Sequence, residues 1–311
     1  MERFTLGIVA GTRFTSRGLF TMHESAATPQ IIWRTRTREF DLTHRGVVMG
    51  ILNVTPDSFS DGGRWVDVAA AVAHAREMIG QGAEIVDVGG ESTRPGAESV
   101  SAAEEARRVL PVIERLAGLP GHGEKFVISA DTMKPGVARA AVDAGAAIIN
   151  DVGGLRDPAM VEVAKETRAG VVIMHMLGEP QTMQAEPQYA DVVAAVRDFF
   201  CQRKAVCIAS GVAVTHIAFD PGIGFGKTVE HNIALLRHLN ELTAAASPML
   251  VGVSRKSFIG RALNLPAMED RSWPTVALTS RCREHGARIF RVHEVKPNVE
   301  ALRMTEAILG A

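Results

Sequence analysis

Aromatic side chains are scarce in this 311-residue chain, at 5% with a single tyrosine, and cysteine occurs only three times. Cys201, Cys207 and Cys282 are too few and wrongly spaced for a zinc site or a disulfide framework. They read as reduced core thiols, which predicts a reducing compartment, the cytoplasm. No apolar run approaches the ~18 residues of a membrane span, so no membrane partner is expected. Neither sign of charge dominates: 34 Lys and Arg stand against 35 Asp and Glu. No global field therefore recruits nucleic acid or an anionic membrane, and any anion site has to be local.

What the chain does have is apolar residue, 46% of the total, enough to bury a full core. Its length suits one α/β domain of ~250 residues plus an extension. Residues 1–30 form the N-terminal extension and 31–311 the domain. Within the extension, 1–22 carries Arg3, Arg13 and Arg17 among hydroxyl residues with few acids, which fits a transit peptide or an upstream start codon ahead of Met22. The alternation of IIWRTRTREFDL at 31–42 predicts a small hairpin leading into the domain.

From Gly46 onward one unit recurs: a β-branched run, a turn, then an alanine-rich helical pattern. Strands are predicted at 47–53, 84–88, 126–131, 147–151, 171–176, 217–220, 249–254 and 288–293. Helices are predicted between and after them, at 67–81, 102–116, 135–144, 158–167, 191–210, 229–246, 273–285 and 299–309. Near-continuous apolar strands alternating with helices imply a parallel sheet covered on its outside. Eight such units argue for closure into a (β/α)8 TIM barrel with a short N-terminal hairpin extension. An open doubly wound sheet is the alternative, but no GxGxxG follows the first strand.

The strand ends carry the functional signal. Asn53, Asp87, Asp131, Asn150, Asp220, Ser254 with Arg255 and Lys256, then Arg291 and His293 stand at or just after C-terminal strand ends. A barrel converges these positions on one mouth, where active sites lie. Singly, an Asp or Asn there often just caps the next helix; at seven of the eight predicted strands the pattern points to a site. The fifth strand ends instead in Met174, His175 and Met176, which suits an apolar wall.

One stretch, IAFDPGIGFGKT at 217–228, looks at first like a phosphate loop. The first glycine of that pattern falls at Pro221, which lacks a backbone donor, so the nucleotide reading fails. Asp220 is better explained as a carboxylate facing a ligand, because an acid closing an apolar strand needs a partner.

Several segments together resemble dihydropteroate synthase: MGILNVTPDSFSDGG at 49–63, VDVGGESTRPGA at 86–97, NDVGGLRDPAM at 150–160, MHM at 174–176, DPGIGFGKTVEHN at 220–232, SRKSFIG at 254–260 and RVHEVKPN at 291–298. The resemblance runs from about residue 31 to the C-terminus. It departs from the usual pattern at Ala130, at Glu294 and in SWPTVALTS at 272–280. The resemblance implies a pterin-binding barrel that joins 4-aminobenzoate to 6-hydroxymethyl-7,8-dihydropterin diphosphate, with loss of pyrophosphate through a cationic pterin. It also implies a homodimer formed by the last two helices, with Trp273 and Met304 at the contact.

Carried over residue by residue, the resemblance puts the pterin on Asp131, Asn150, Met174, Asp220 and Lys256, and the diphosphate on Asn53, Thr93, Arg94, Arg291 and His293. Phe59, Pro95, Phe225 and Ser257 would hold the aminobenzoate. Asp131, Asp61, Asp87 and Lys256 would act in catalysis, and Asn53 would share a Mg2+ ion with the substrate. His175 and His293 are expected in core or anion contacts rather than as bases, since an arylamine is neutral at pH 7. Two other readings remain at this point. A corrinoid-linked pterin methyltransferase has no pyrophosphate to hold, against which Asn53, the 55–63 loop, Arg94 and Arg291 all argue. A silent pterin-binding protein could dispense with the loop residues.

Overall fold

The computed structural model describes residues 30–55, 67–92, 98–179, 182–184, 186–243 and 247–310. Phe59, Asp61, Thr93, Arg94 and Pro95 lie outside the described residues, as does nearly all of the 1–30 extension. Two short antiparallel strands, β1 (Ile32–Arg34) and β2 (Glu39–Asp41), form the predicted hairpin.

Eight parallel strands follow: β3 (Val47–Asn53), β4 (Ile85–Gly89), β5 (Val127–Asp131), β6 (Ile148–Asp151), β7 (Gly170–Met174), β8 (Ile217–Asp220), β9 (Leu250–Val251) and β10 (Ile289–Val292). Their spatial order is β8-β7-β6-β5-β4-β3-β10-β9. A bridge between Phe219 and Met249, with the Phe219 N–H donating to the Pro248 carbonyl at 2.9 Å, brings the two ends together. This closes the sheet into the expected barrel.

The helices are α1 (Val68–Gly80), α2 (Ala102–Ala117), α3 (Pro135–Asp143), α4 (Pro158–Thr167), α5 (Val192–Ala209), α6 (Val229–Arg237), α7 (Leu239–Thr243), α8 (Ser257–Leu263), α9 (Ser272–Glu284) and α10 (Val295–Leu309). Asp67, Ser101, Asp157 and Asp191 cap α1, α2, α4 and α5 through their side chains, so start signals readable in the sequence do set these helix origins. Among the described residues, no helix is long and apolar enough to cross a membrane.

Three expected boundaries shift. The single helix predicted at 229–246 is interrupted at His238. The last helix starts at Val295, four residues early, and accommodates Pro297 in its first turn, where a missing N–H breaks no helical bond. Strand β9 keeps only two ladder residues, Leu250 and Val251, ahead of a turn at Arg255 with φ of 57°.

The interior is filled in layers. At the N-terminal end Trp33, Phe40 and Leu42 of the hairpin pack fully buried against Val47, Met49, Ile85, Val127, Ile148, Val172, Ala218, Leu250 and Ile289, at least one residue from every barrel strand. The hairpin therefore plugs the floor, and the Trp33 indole N–H finds the His216 carbonyl at 3.0 Å. Among the described residues, no apolar plug occupies the other end. There, charged strand ends face an apolar wall of Val152, Met174, Met176 and Met183, joined by Met133 and Phe225.

Candidate active site

The barrel brings eight of the predicted polar residues to its C-terminal end. Asn53 closes β3, Asp87 lies within β4, Asp131 closes β5, Asn150 lies in β6, Asp220 closes β8, Lys256 follows β9, Arg291 lies in β10 and His293 follows it. Asp87, Asn150 and Asp220 are buried, while Asn53, Asp131, Lys256 and Arg291 keep partial exposure to the mouth.

Arg291 is the hub of the first cluster. Its Nε donates to Asp87 Oδ2 and its Nη2 to Asp131 Oδ2, both at 2.6 Å, while Asn150 Nδ2 donates to Asp87 Oδ2 at 3.0 Å. The sequence reading gave Arg291 to the diphosphate alone; in the structure one edge of its guanidinium holds two carboxylates together. Burial would lower the Arg291 pKa, but Asp87 and Asp131 outweigh it and keep the group charged. Burial pushes Asp131 up to about 7, with Arg291 opposing and Asp87 adding to the rise. Asp87 Oδ1 is buried without a hydrogen-bond partner among the described residues. A buried acceptor left open in this way asks for a donor from a ligand.

The second cluster faces it. Asp220 Oδ1 accepts from the Gly222 N–H at 2.7 Å, while Oδ2 is directed toward Gly252. A side chain built on Gly252 would lie 3.8 Å from Asp220 Oδ2 and 3.9 Å from Lys256 Nζ, so acceptor and donor converge on one small space that glycine keeps clear. Burial raises the Asp220 pKa, with Lys256 opposing, and burial lowers Lys256 to about 8, with Asp220 opposing. Lys256 Nζ also donates to the Ile223 carbonyl and lies 4.5 Å from the centre of the Phe225 ring.

Around these clusters stand the remaining predicted residues. Met174 lies in the apolar wall, Phe225 packs on that wall beside Lys256, and Ser257 is exposed at the start of α8. His293 is held by Ser254, whose Oγ accepts the His293 N–H at 3.1 Å and lies 2.9 Å from its Nδ1. Glu294 receives Arg255 and the Ser272 hydroxyl, so this departure from the usual pattern ties the β9 end to the start of α9.

Sequence reasoning missed two buried ionisable groups. Asp151 accepts the Gly153 and Leu155 N–H groups, each at 2.7 Å, and shapes the loop after β6. Burial nonetheless raises its pKa to about 6, those N–H groups opposing. Lys227, visible in the sequence only as the tail of a failed phosphate loop, is buried beneath the 221–226 turn and lies 3.0 Å from His175 Nδ1. Its usable signal was its place in the same glycine-rich turn as Asp220.

The described residues contain no group of three His, Cys, Asp or Glu able to hold a metal ion. Asn53 at the end of β3 carries an amide oxygen, a hard ligand of the kind suited to a Mg2+ ion that takes most of its oxygens from substrate phosphates and water.

Comparison with known proteins identifies the family. The pterin binding enzyme family matches residues 49–293. Dihydropteroate synthase of Escherichia coli K12 is 49% identical over 273 residues, covering 87% of this chain and 94% of its own length. That of Bacillus subtilis is 43% identical over 280 residues, covering 89% and 93%. A Xanthomonas albilineans dihydropteroate synthase solved with 4-aminobenzoic acid superposes with a TM-score of 0.83 at 42% identity, covering 91% of this chain and all of that one. The same enzyme in complex with 7,8-dihydropteroate gives 0.80 at 40% identity with the same coverage. The barrel, its charged mouth and these likenesses together establish that the chain belongs to the pterin binding enzymes and, among them, to the dihydropteroate synthase family.

Proposed function

We propose that the chain condenses 6-hydroxymethyl-7,8-dihydropterin diphosphate with 4-aminobenzoate, giving 7,8-dihydropteroate and pyrophosphate for folate synthesis. The observation that carries this reading is the pair of opposed clusters: an open Asp87 acceptor beside Asn150 and Arg291, facing Asp220 Oδ2 and Lys256 Nζ. An amino-pyrimidinone edge presents adjacent N–H donors next to a carbonyl acceptor. Asp220 accepts from those donors, Asn150 and Asp131 bond around the ring, Lys256 donates to the acceptor side, and Met174 packs on the face.

The edge of Arg291 not committed to Asp87 and Asp131 is available to the diphosphate, where a planar guanidinium matches phosphate oxygens. His293, Thr93 and Arg94 complete that half-site. Asn53 would hold Mg2+ there, whose chemistry is to neutralise charge on the leaving group.

The reaction breaks the C–O bond at the exocyclic CH2, and the electron pair departs with pyrophosphate. The resulting cation is conjugated into the pterin and lies in the negative field of Asp87, Asp131 and Asp220, so fixed charges rather than a covalent enzyme intermediate lower the barrier. The arylamine lone pair then forms the C–N bond, and the ammonium proton passes to water or pyrophosphate. Asp61 and Phe59 from the 55–63 loop, with Pro95, Phe225 and Ser257, would shape the aminobenzoate half-site.

A homodimer fits the outer flank. Trp273 on α9 with Met304 and Ile308 on α10 are 77%, 62% and 73% exposed on two helices that pack together, an apolar face that a second copy would cover. The reaction itself is tested by pyrophosphate release from purified protein with the pterin diphosphate and Mg2+. Release should accelerate when 4-aminobenzoate is added and yield one dihydropteroate per pyrophosphate. Methyl transfer from a folate to a corrinoid, or no release with either substrate, would overturn the reading.

A further inference from the structure

Lys227 has no role in the reaction derived above, yet it is one of the most constrained charges in the molecule. A lysine ammonium has three N–H donors. Here Nζ lies 3.0 Å from His175 Nδ1, 3.2 Å from the His175 carbonyl and 2.9 Å from the Phe225 carbonyl, so all three are engaged. Burial lowers the Lys227 pKa to about 7, with Asp220 opposing; its ammonium form needs an acceptor at the facing ring nitrogen, which in that form makes His175 neutral with its proton on Nε2. Burial and then the Lys227 charge hold His175 down at about 3, in keeping with that assignment.

The two ends of this clamp lie on different elements. His175 follows β7, where its N–H donates to the Asp220 carbonyl at 2.9 Å. Phe225 lies in the turn after β8, and that turn is pressed so closely onto β7 that a side chain on Gly222 would come within 1.8 Å of the His175 carbonyl. Its other carbonyls have other donors: Gly222 has the Phe225 N–H at 3.0 Å, Ile223 has Lys256 Nζ, Gly224 has Gln184 at 2.7 Å and Gly226 has the Tyr189 hydroxyl at 2.9 Å. Among the described residues, Lys227 is the donor to the Phe225 carbonyl, and the Phe225 ring is the one that packs beside Lys256 at the mouth.

We infer that Lys227 is a positioning residue for the second substrate: by clamping the Phe225 backbone to the end of β7, it sets the ring against which the aromatic amine lies. The inference rests on the reaction proposed above. Of the pterin contacts, Asp131, Asn150, Met174 and Asp220 stand on β5 to β8, which the ladder holds without Lys227, and Lys256 follows β9, whereas the Phe225 carbonyl is held by Lys227. Loss of the clamp should therefore fall on one substrate, a selectivity that general destabilisation does not produce.

The test is steady-state kinetics of Lys227→Met with each substrate varied in turn. KM for 4-aminobenzoate should rise at least about tenfold, as misplacement of a contacting group by a fraction of an ångström does, while KM for the pterin diphosphate stays within about threefold. Phe225→Ala should raise the same KM, and Lys227→Met added to it should contribute no more than about threefold, because the lysine acts through that ring. Equal rises in both KM values, or fully additive effects in the double variant, would overturn the inference. If Lys227→Met does not fold, His175→Gln and His175→Leu decide: glutamine keeps an acceptor for the ammonium and should retain the wild-type KM for the amine, whereas leucine should raise it. Matching KM values in that pair would reject the clamp. Absence of pyrophosphate release by the wild-type protein would instead reject the reaction on which the inference is built.

Discussion

The two ends of the barrel are made of the same strands and obey opposite rules. At the floor, Trp33, Phe40 and Leu42 seal the strand starts with wholly buried apolar surface, and the indole N–H has its acceptor. At the mouth, the same strands end in Asp87, Asp131, Asp220, Lys256 and Arg291 within a few ångströms of one another, one carboxylate oxygen is left unpaired, and burial opposes the charge on Asp131, Asp220 and Lys256. The floor is arranged for stability. The mouth keeps polar groups at a desolvation cost that a bound ligand offsets.

That contrast can be broken at either end. The largest effect on folding is expected at the floor: Trp33→Ala should destabilise by roughly 3 to 5 kcal/mol. Thermal or denaturant unfolding measures that loss, and turnover per folded molecule should not change. At the mouth, Arg291→Lys keeps a positive charge between the carboxylates but loses the planar fork. Binding of the pterin diphosphate should weaken by ~1.5 to 3 kcal/mol, while 6-hydroxymethyl-7,8-dihydropterin, which lacks the diphosphate, should be affected much less. Equal losses by calorimetry would mean that Arg291 serves only to hold Asp87 and Asp131.

On the outer flank, Trp273→Asp should convert a dimer into monomers by light scattering at micromolar concentration, with the mouth intact. A wild-type protein that is already monomeric would remove the dimer from the account. The smallest effect concerns pH. Burial pushes the Asp131 pKa up to about 7 from its ordinary 3.8, so between about pH 4 and 7 the folded state should hold a proton that the unfolded state has released, and stability should fall as pH rises. Asp131→Asn should flatten that decline in unfolding midpoints measured across the window; an unchanged slope would show that Arg291 keeps the carboxylate ionised throughout.

Much of this architecture was legible because parallel strands buried on both faces read as unbroken apolar runs, and a carboxylate or amide closing such a run stands out. Asn53, Asp87, Asp131, Asn150 and Asp220 were found in that way. The hairpin was visible in the alternation around Trp33 and Phe40, although its role as the floor plug was not, because plugging depends on contacts with all eight strands at once. Side-chain direction was equally hidden. Nothing local to Arg291 says that it turns back onto Asp87, 204 residues away, and nothing local to Lys227 says that it reaches His175 across 52 residues. The helix break at His238 and the early end of β9 at Val251 likewise follow from packing and backbone conformation rather than periodicity.

The claim that the mouth is shaped for a pterin at the expense of stability meets its most direct test in Asp220→Asn, with 6-hydroxymethyl-7,8-dihydropterin titrated into the purified variant by calorimetry. An amide cannot accept both donors of the pterin edge, so affinity should fall by ~2 to 4 kcal/mol, roughly 30- to 1,000-fold. The unfolding midpoint of the empty variant should be no lower than that of the wild type, since a buried charge has been removed. Wild-type affinity in this variant, or a loss of affinity matched by a collapse in stability, would contradict the account.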